Sequence, residues 1–205
     1  MNTDKDTQLE VLSHHYSESY ELLKAAVEKR DRLLLYMLVV IFILLLYMSA
    51  PGTVGDWLNS FVNNQVHPGN NGPINALIDV SFIGVILMLG LLSLSHTYFQ
   101  TVLHVERQHD YIYQLEARLS QAFDELVFTR EGKHYRQHKR LFARWTQVIF
   151  WMLLPALFLA FLVYWEIFLF TRSQAPAPYL IVDTLISVSM AISLGLYLFA
   201  IFRKK

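Results

Sequence analysis

The sequence contains no cysteine, which excludes disulfides, thiolate nucleophiles and cysteine-ligated metal centres and leaves no trace of a redox compartment. Nor is there a surplus of charge. Lys and Arg number 17 against 17 Asp and Glu, a formal net charge of zero, without the basic excess that marks nucleic-acid binders. With helix-turn-helix and zinc-finger spacings also missing, no direct nucleic-acid ligand is expected. Proline and glycine are scarce, 6 and 8 in 205 residues, and half of the two together fall within residues 51–73. Most of the remaining chain is therefore free of helix breakers. No P-loop, Gly-rich phosphate turn or Ser-His-Asp order is present, so the chain is expected not to be an enzyme and to need no cofactor.

What the sequence does have is apolar text: 54% of residues are hydrophobic, spent in blocks rather than in periodic stripes. Residues 33–50, 74–95, 145–170 and 179–202 each approach or exceed the length of about 20 residues needed to cross a hydrocarbon core of about 30 Å. The expected fold is all-α and integral to a membrane, with four transmembrane helices and cytosolic helical extensions of spans one and two. Span two is the organising element. From residue 96 to 128 no Gly or Pro intervenes, and Val105, Ile112, Leu115, Leu119, Ala122 and Leu126 fall at steps of three, four and seven, one apolar seam on a helix. Residues 1–32 carry a matching series, Leu9, Leu12, Tyr16, Tyr20, Leu23 and Val27, and are expected to pair with that seam within the chain rather than in a dimeric coil. Their charge predicts that they are not a cleaved signal and stay in the mature protein.

Residues 51–73 hold five Asn, four Gly and three Pro, an outer-loop composition with a short interfacial helix around Trp57. Residues 96–144 form the cytosolic helix and a basic hairpin, 171–178 a second outer turn and 203–205 a tail. Pro155 is expected to kink span three, and Tyr164 and Trp165 to sit in an interfacial belt. Five Lys or Arg precede span one, none lie in 51–73, eight lie in 100–144, one is in the outer turn and three end the chain. By the positive-inside rule both termini and the middle segment are cytoplasmic.

Three acids, Asp79, Glu166 and Asp183, fall at similar distances from the outer ends of their spans. Such groups face protein or water because exposure to lipid is costly; they read either as an acidic vestibule for cations or as helix caps and partners of Arg172. Gly84 and Gly90 on span two, and Ser187, Ala191 and Gly195 at steps of four on span four, predict close helix packing and self-association, making spans two and four the inner ones. The cations and histidines of REGKHYRQHKR, namely Arg130, Lys133, His134, Arg136, His138, Lys139 and Arg140, form a patch for anionic lipid or a protein partner. His134 and His138 are one turn apart, but Tyr135 stands where a zinc-protease motif requires Glu, so no metal is expected.

Four spans, inward termini, an amphipathic helix before span one and the cytosolic stretch YIYQLEARLSQAFDELVFTREGKHY together resemble small membrane proteins of bacterial phage-defence systems, such as the membrane subunit of Kiwa or the membrane effectors of nucleotide-signalling defences. The resemblance lies in architecture and carries over no functional residue. It implies an inner-membrane oligomer that couples infection to a cytosolic partner or to membrane permeability. The sequence accordingly predicts an anchor or sensor, with a gated pore and a proton-coupled transporter as alternatives.

Overall fold

The computed structural model describes residues 3–50, 52, 53, 56, 57, 60, 80–123, 149–171 and 176–203. Asp79, Arg172 and the whole Arg130 to Arg140 patch lie outside them. All secondary structure among the described residues is helical. Helix α1 is Thr3–Ser49, α2 is Val80–Phe123, α3 is Leu154–Thr171 and α4 is Ala177–Arg203. Each is long and apolar enough to cross a membrane.

The lengths follow from the breakers. No Gly or Pro occurs between Thr3 and Ser49, so 47 residues stay in one helix. At its end the Ala50 N–H donates to the Leu46 carbonyl (3.2 Å) and the Ser49 hydroxyl donates to the same oxygen (2.8 Å), satisfying an acceptor the helix leaves open. Within the loop, residues 56, 57 and 60 are helical, and the Ser60 hydroxyl reaches the Asp56 carbonyl at 2.8 Å. Helix α2 passes His96 without interruption.

Proline shapes both remaining helices. A π-helical turn, Ile149–Leu153, leads into α3 just before Pro155. Pro155 has no N–H for the carbonyl four residues back and its ring crowds that carbonyl; the wider π turn relieves both problems. In α4 the Pro176 carbonyl accepts from the N–H groups of Tyr179 (3.0 Å) and Leu180 (3.4 Å). Pro178 occupies the first turn, where a missing N–H costs no helical bond.

The chain divides into two compact units whose borders fall inside helices. One comprises Met1–Arg32, Tyr98–Leu157 and Tyr197–Lys205. Here Leu23, Val105 and Ile112 make a buried cluster against which Tyr16, Tyr20, Ala26 and Val27 pack. Tyr16 reaches Glu116 while Leu23 meets Val105, so the two helical segments run antiparallel. Phe99 stacks on Tyr197 with centroids 4.6 Å apart. The expected intrachain pairing is present, and Val105, Ile112, Leu115 and Leu119 of the seam are all buried.

The second unit, Leu33–Thr97 with Phe158–Leu196, is built around Trp165, which is fully buried. Its ring lies near those of Tyr47 (6.1 Å), Phe168 (5.9 Å) and Phe161 (6.5 Å). A Cβ at Gly84 would stand 3.7 Å from Trp165 and 3.8 Å from Tyr47, so the missing side chain lets α2 lie close to the aromatic cluster. Burial of Trp165 corrects the interfacial-belt expectation: only Tyr164 of the pair is exposed. Adjacent helical residues point about 100° apart, so one of two neighbours faces inward.

The small-residue series also divides. Ser187 is buried but Ala191 and Gly195 are exposed, and nothing lies within 4 Å of a Cβ placed at Gly90 or Gly195. Steps of four overshoot a helical turn by about 40° each, carrying the stripe off the buried face, which instead follows Asp183, Ile186, Met190 and Leu194. Nor are spans two and four set apart as inner helices within the chain: 39% of the most apolar stretch is buried in both α2 and α3, against 33% in α4.

Candidate functional site

The acids singled out in the sequence meet on α3 and α4, inside the second unit. Glu166 stands five residues before the C-terminal end of α3 at Thr171. The Thr184 hydroxyl of α4 donates to Glu166 Oε2 at 3.2 Å. Asp183, the neighbour of Thr184, is 3% exposed, and Ser187 one turn further along the same face is 4% exposed. Since α4 begins at Ala177, Asp183 is beyond the first turn, where a side chain can no longer cap free N–H groups. The capping alternative therefore fails for this acid.

Four polar atoms here are buried with no hydrogen-bond partner among the described residues: Glu166 Oε1, Asp183 Oδ1, Ser187 Oγ and Trp165 Nε1. The bond from Thr184 sets the Glu166 carboxyl against the residue next to Asp183. Buried polar groups are ordinarily bonded, and each one left open costs free energy comparable to a lost hydrogen bond. Position makes the pair more expensive still. Glu166 lies near the negative end of the α3 dipole, so the helix end opposes its charge, and among the described residues the printed bond to its carboxyl is the one from Thr184. Around the pair, α2 contributes no charged residue between Val80 and Ser95.

A second polar locus lies in the first unit. Glu116 is 2% exposed and its Oε1 accepts from the Tyr16 hydroxyl at 3.1 Å. One turn away, His15 Nε2 and the Tyr111 hydroxyl are 2.6 Å apart, the rings edge-on at 5.9 Å. These contacts fasten α1 to α2 rather than open a cavity. No group of three or more His, Asp or Glu suited to a metal occurs among the described residues.

Compared with models of protein families, with curated proteins and with solved structures, the chain shows no significant match. Function must therefore be argued from these side chains alone.

Of the residues expected to carry function, Glu166, Asp183 and Ser187 are brought together, Gly84 serves the packing of Trp165, and Gly90, Ala191 and Gly195 stay apart from the site. Sequence reasoning missed Thr184 and Glu116. Thr184 adjoins an intramembrane Asp, which was a signal in itself. Glu116 lies next to Leu115 on the seam, and its burial had no signal beyond that position.

Proposed function

We propose that this chain is a multi-pass protein of a bacterial inner membrane, with both termini and residues 96–144 in the cytosol, and that it anchors or senses for a soluble partner. The observation that carries this reading is the division of labour within α1 and α2. A helix needs about 20 residues to cross the hydrocarbon layer, yet α1 has 47 and α2 has 44, and their polar portions pair through a core of their own. A span alone needs no such pair. Membrane insertion is supported by the exterior: the most apolar stretches of the four helices are only 28% to 39% buried, leaving Phe42, Phe82, Leu157, Phe170, Leu185 and Phe199 outward. In the setting implied by the resemblance to phage-defence membrane proteins, the stimulus is infection. Pull-down of the full chain from its native host, with and without residues 104–140, tests the reading: a co-purifying cytosolic protein that depends on the segment supports it, and a clean bait in both cases refutes it.

A second reading, a gated pore, is favoured by the unsatisfied acids Glu166 and Asp183. Ion flux in liposomes should then fall in Glu166→Gln and Asp183→Asn variants. Self-association in either case is supported by the open space around Gly90 and Gly195, where a second copy could approach closely.

A further inference from the structure

We propose that Glu166, Asp183, Thr184 and Ser187 form a binding site for one small cation, a proton or an alkali-metal ion, held between α3 and α4. The argument begins with the count of open oxygens. Glu166 Oε1 and Asp183 Oδ1 are buried acceptors with no bonding partner among the described residues, and the Thr184 bond sets the Glu166 carboxyl against the residue next to Asp183. Two ionised carboxylates in such surroundings repel and are desolvated together, which a bound positive charge relieves.

Ser187 is the independent observation. Its hydroxyl oxygen is buried and also without a partner, and at four residues from Asp183 and three from Thr184 it lies on the face that carries both. Asp183, Thr184 and Ser187 thus share one face of α4, the face that touches Glu166 through Thr184. Thr184 fixes the polarity of the arrangement, since its donated bond holds Glu166 Oε2 as an acceptor. The open Glu166 oxygen and Asp183 are then left to share the cation.

Among the described residues, the charged groups at this place are Glu166 on α3 and Asp183 on α4. Helix α1 presents the titratable Tyr47, packed on Trp165 and Phe168, and α2 presents Gly84 in a stretch, Val80 to Ser95, without a charged residue. The site stands apart from partner recruitment: a negative pull-down leaves it untouched, and its own failure leaves the anchor reading intact.

The test uses the purified full-length chain in phosphatidylcholine nanodiscs and an apolar carbodiimide, which adds to protonated carboxyl groups and not to carboxylates, with mass spectrometry locating the adduct. The expected adduct is on Asp183 or Glu166 and is lost as pH rises. At fixed pH and ionic strength, sodium chloride replaces choline chloride; protection by sodium identifies an alkali-ion site, and equal labelling in both salts identifies a proton site. Ser187→Ala and Thr184→Val should each change the proton or the sodium concentration of half-labelling severalfold. The melting midpoint should depend on pH or sodium in the native chain and lose that dependence in Asp183→Asn; if that variant does not fold, Ser187→Ala, which removes a single oxygen, gives the same readout in attenuated form. No adduct at any pH, as a permanent counter-charge would produce, overturns the proposal. So does labelling indifferent to pH, to sodium and to Ser187→Ala.

Discussion

At the scale of single residues, the two polar loci differ in what their loss should do. Tyr16 donates to the buried carboxyl of Glu116, so Tyr16→Phe leaves shape intact and removes a donor from a group that has little access to water. Removing one partner of a buried polar group costs about 1 to 3 kcal/mol, and thermal unfolding should register a loss of that size. His15→Ala, at an exposed pair, should cost less than about 1 kcal/mol and serves as the control. Gly84 makes the complementary case for packing. Its Cβ would meet Trp165 and Tyr47 at ordinary contact distance, so Gly84→Ala should be tolerated while Gly84→Leu overpacks the aromatic cluster by about 1 to 3 kcal/mol. Equal melting midpoints for the two variants would contradict the close approach of α2 to Trp165. Residue-level roles were the least legible part of the sequence. That Glu166 and Asp183 were unusual could be read from their apolar surroundings, but that Thr184 would bond Glu166 depends on how α3 and α4 are rotated about their axes, which local text does not encode.

Elements were far more legible, because helix length and face are set by breakers and periodicity. The run from Val105 to Leu119 was readable as a buried seam since residues at steps of three and four share a face, and its partner, the series through Tyr16, Tyr20 and Leu23, packs where expected. The small-residue stripe leaves the chain's own buried face for the same geometric reason: Ser187, Ala191 and Gly195 keep a step of four, which drifts around the helix, whereas the buried face mixes threes and fours. These two faces lead to separable outcomes. Ile112 is fully buried in the α1 and α2 pair, so Ile112→Ala should cost about 2 to 5 kcal/mol and accelerate amide exchange across residues 98–119 and 16–27. Gly195→Leu meets open space and should leave the melting midpoint of the isolated chain nearly unchanged. If copies pack through α4, however, crosslinking in membranes should reveal loss of the oligomer in that variant. Unaltered crosslinking would move self-association to another face.

At the scale of the whole molecule, the strongest evidence for a membrane is the contrast between surfaces of similar helices. Residues 16–27 bury their apolar face against α2 and turn Glu and Lys outward, as a helix in water does. Residues 35–46 of the same helix leave Leu35, Leu38, Phe42, Leu45 and Leu46 outward, an apolar exterior far beyond what water-soluble chains expose. The cation distribution supports the orientation proposed for the spans. Each Lys or Arg left on the translocated side opposes insertion, and the loops carry one, Arg172, against sixteen elsewhere. The absence of cysteine makes the orientation directly measurable, because single cysteines introduced one at a time are labelled without background. Ser173→Cys, in the expected outer turn, should react with a membrane-impermeant maleimide on intact spheroplasts. Ser17→Cys, on α1, should react only after lysis. Labelling of Ser17→Cys from outside would invert the topology and place the α1 and α2 pair where no cytosolic partner could reach it, removing the anchor reading while leaving the buried acids of α3 and α4 as the function-bearing feature.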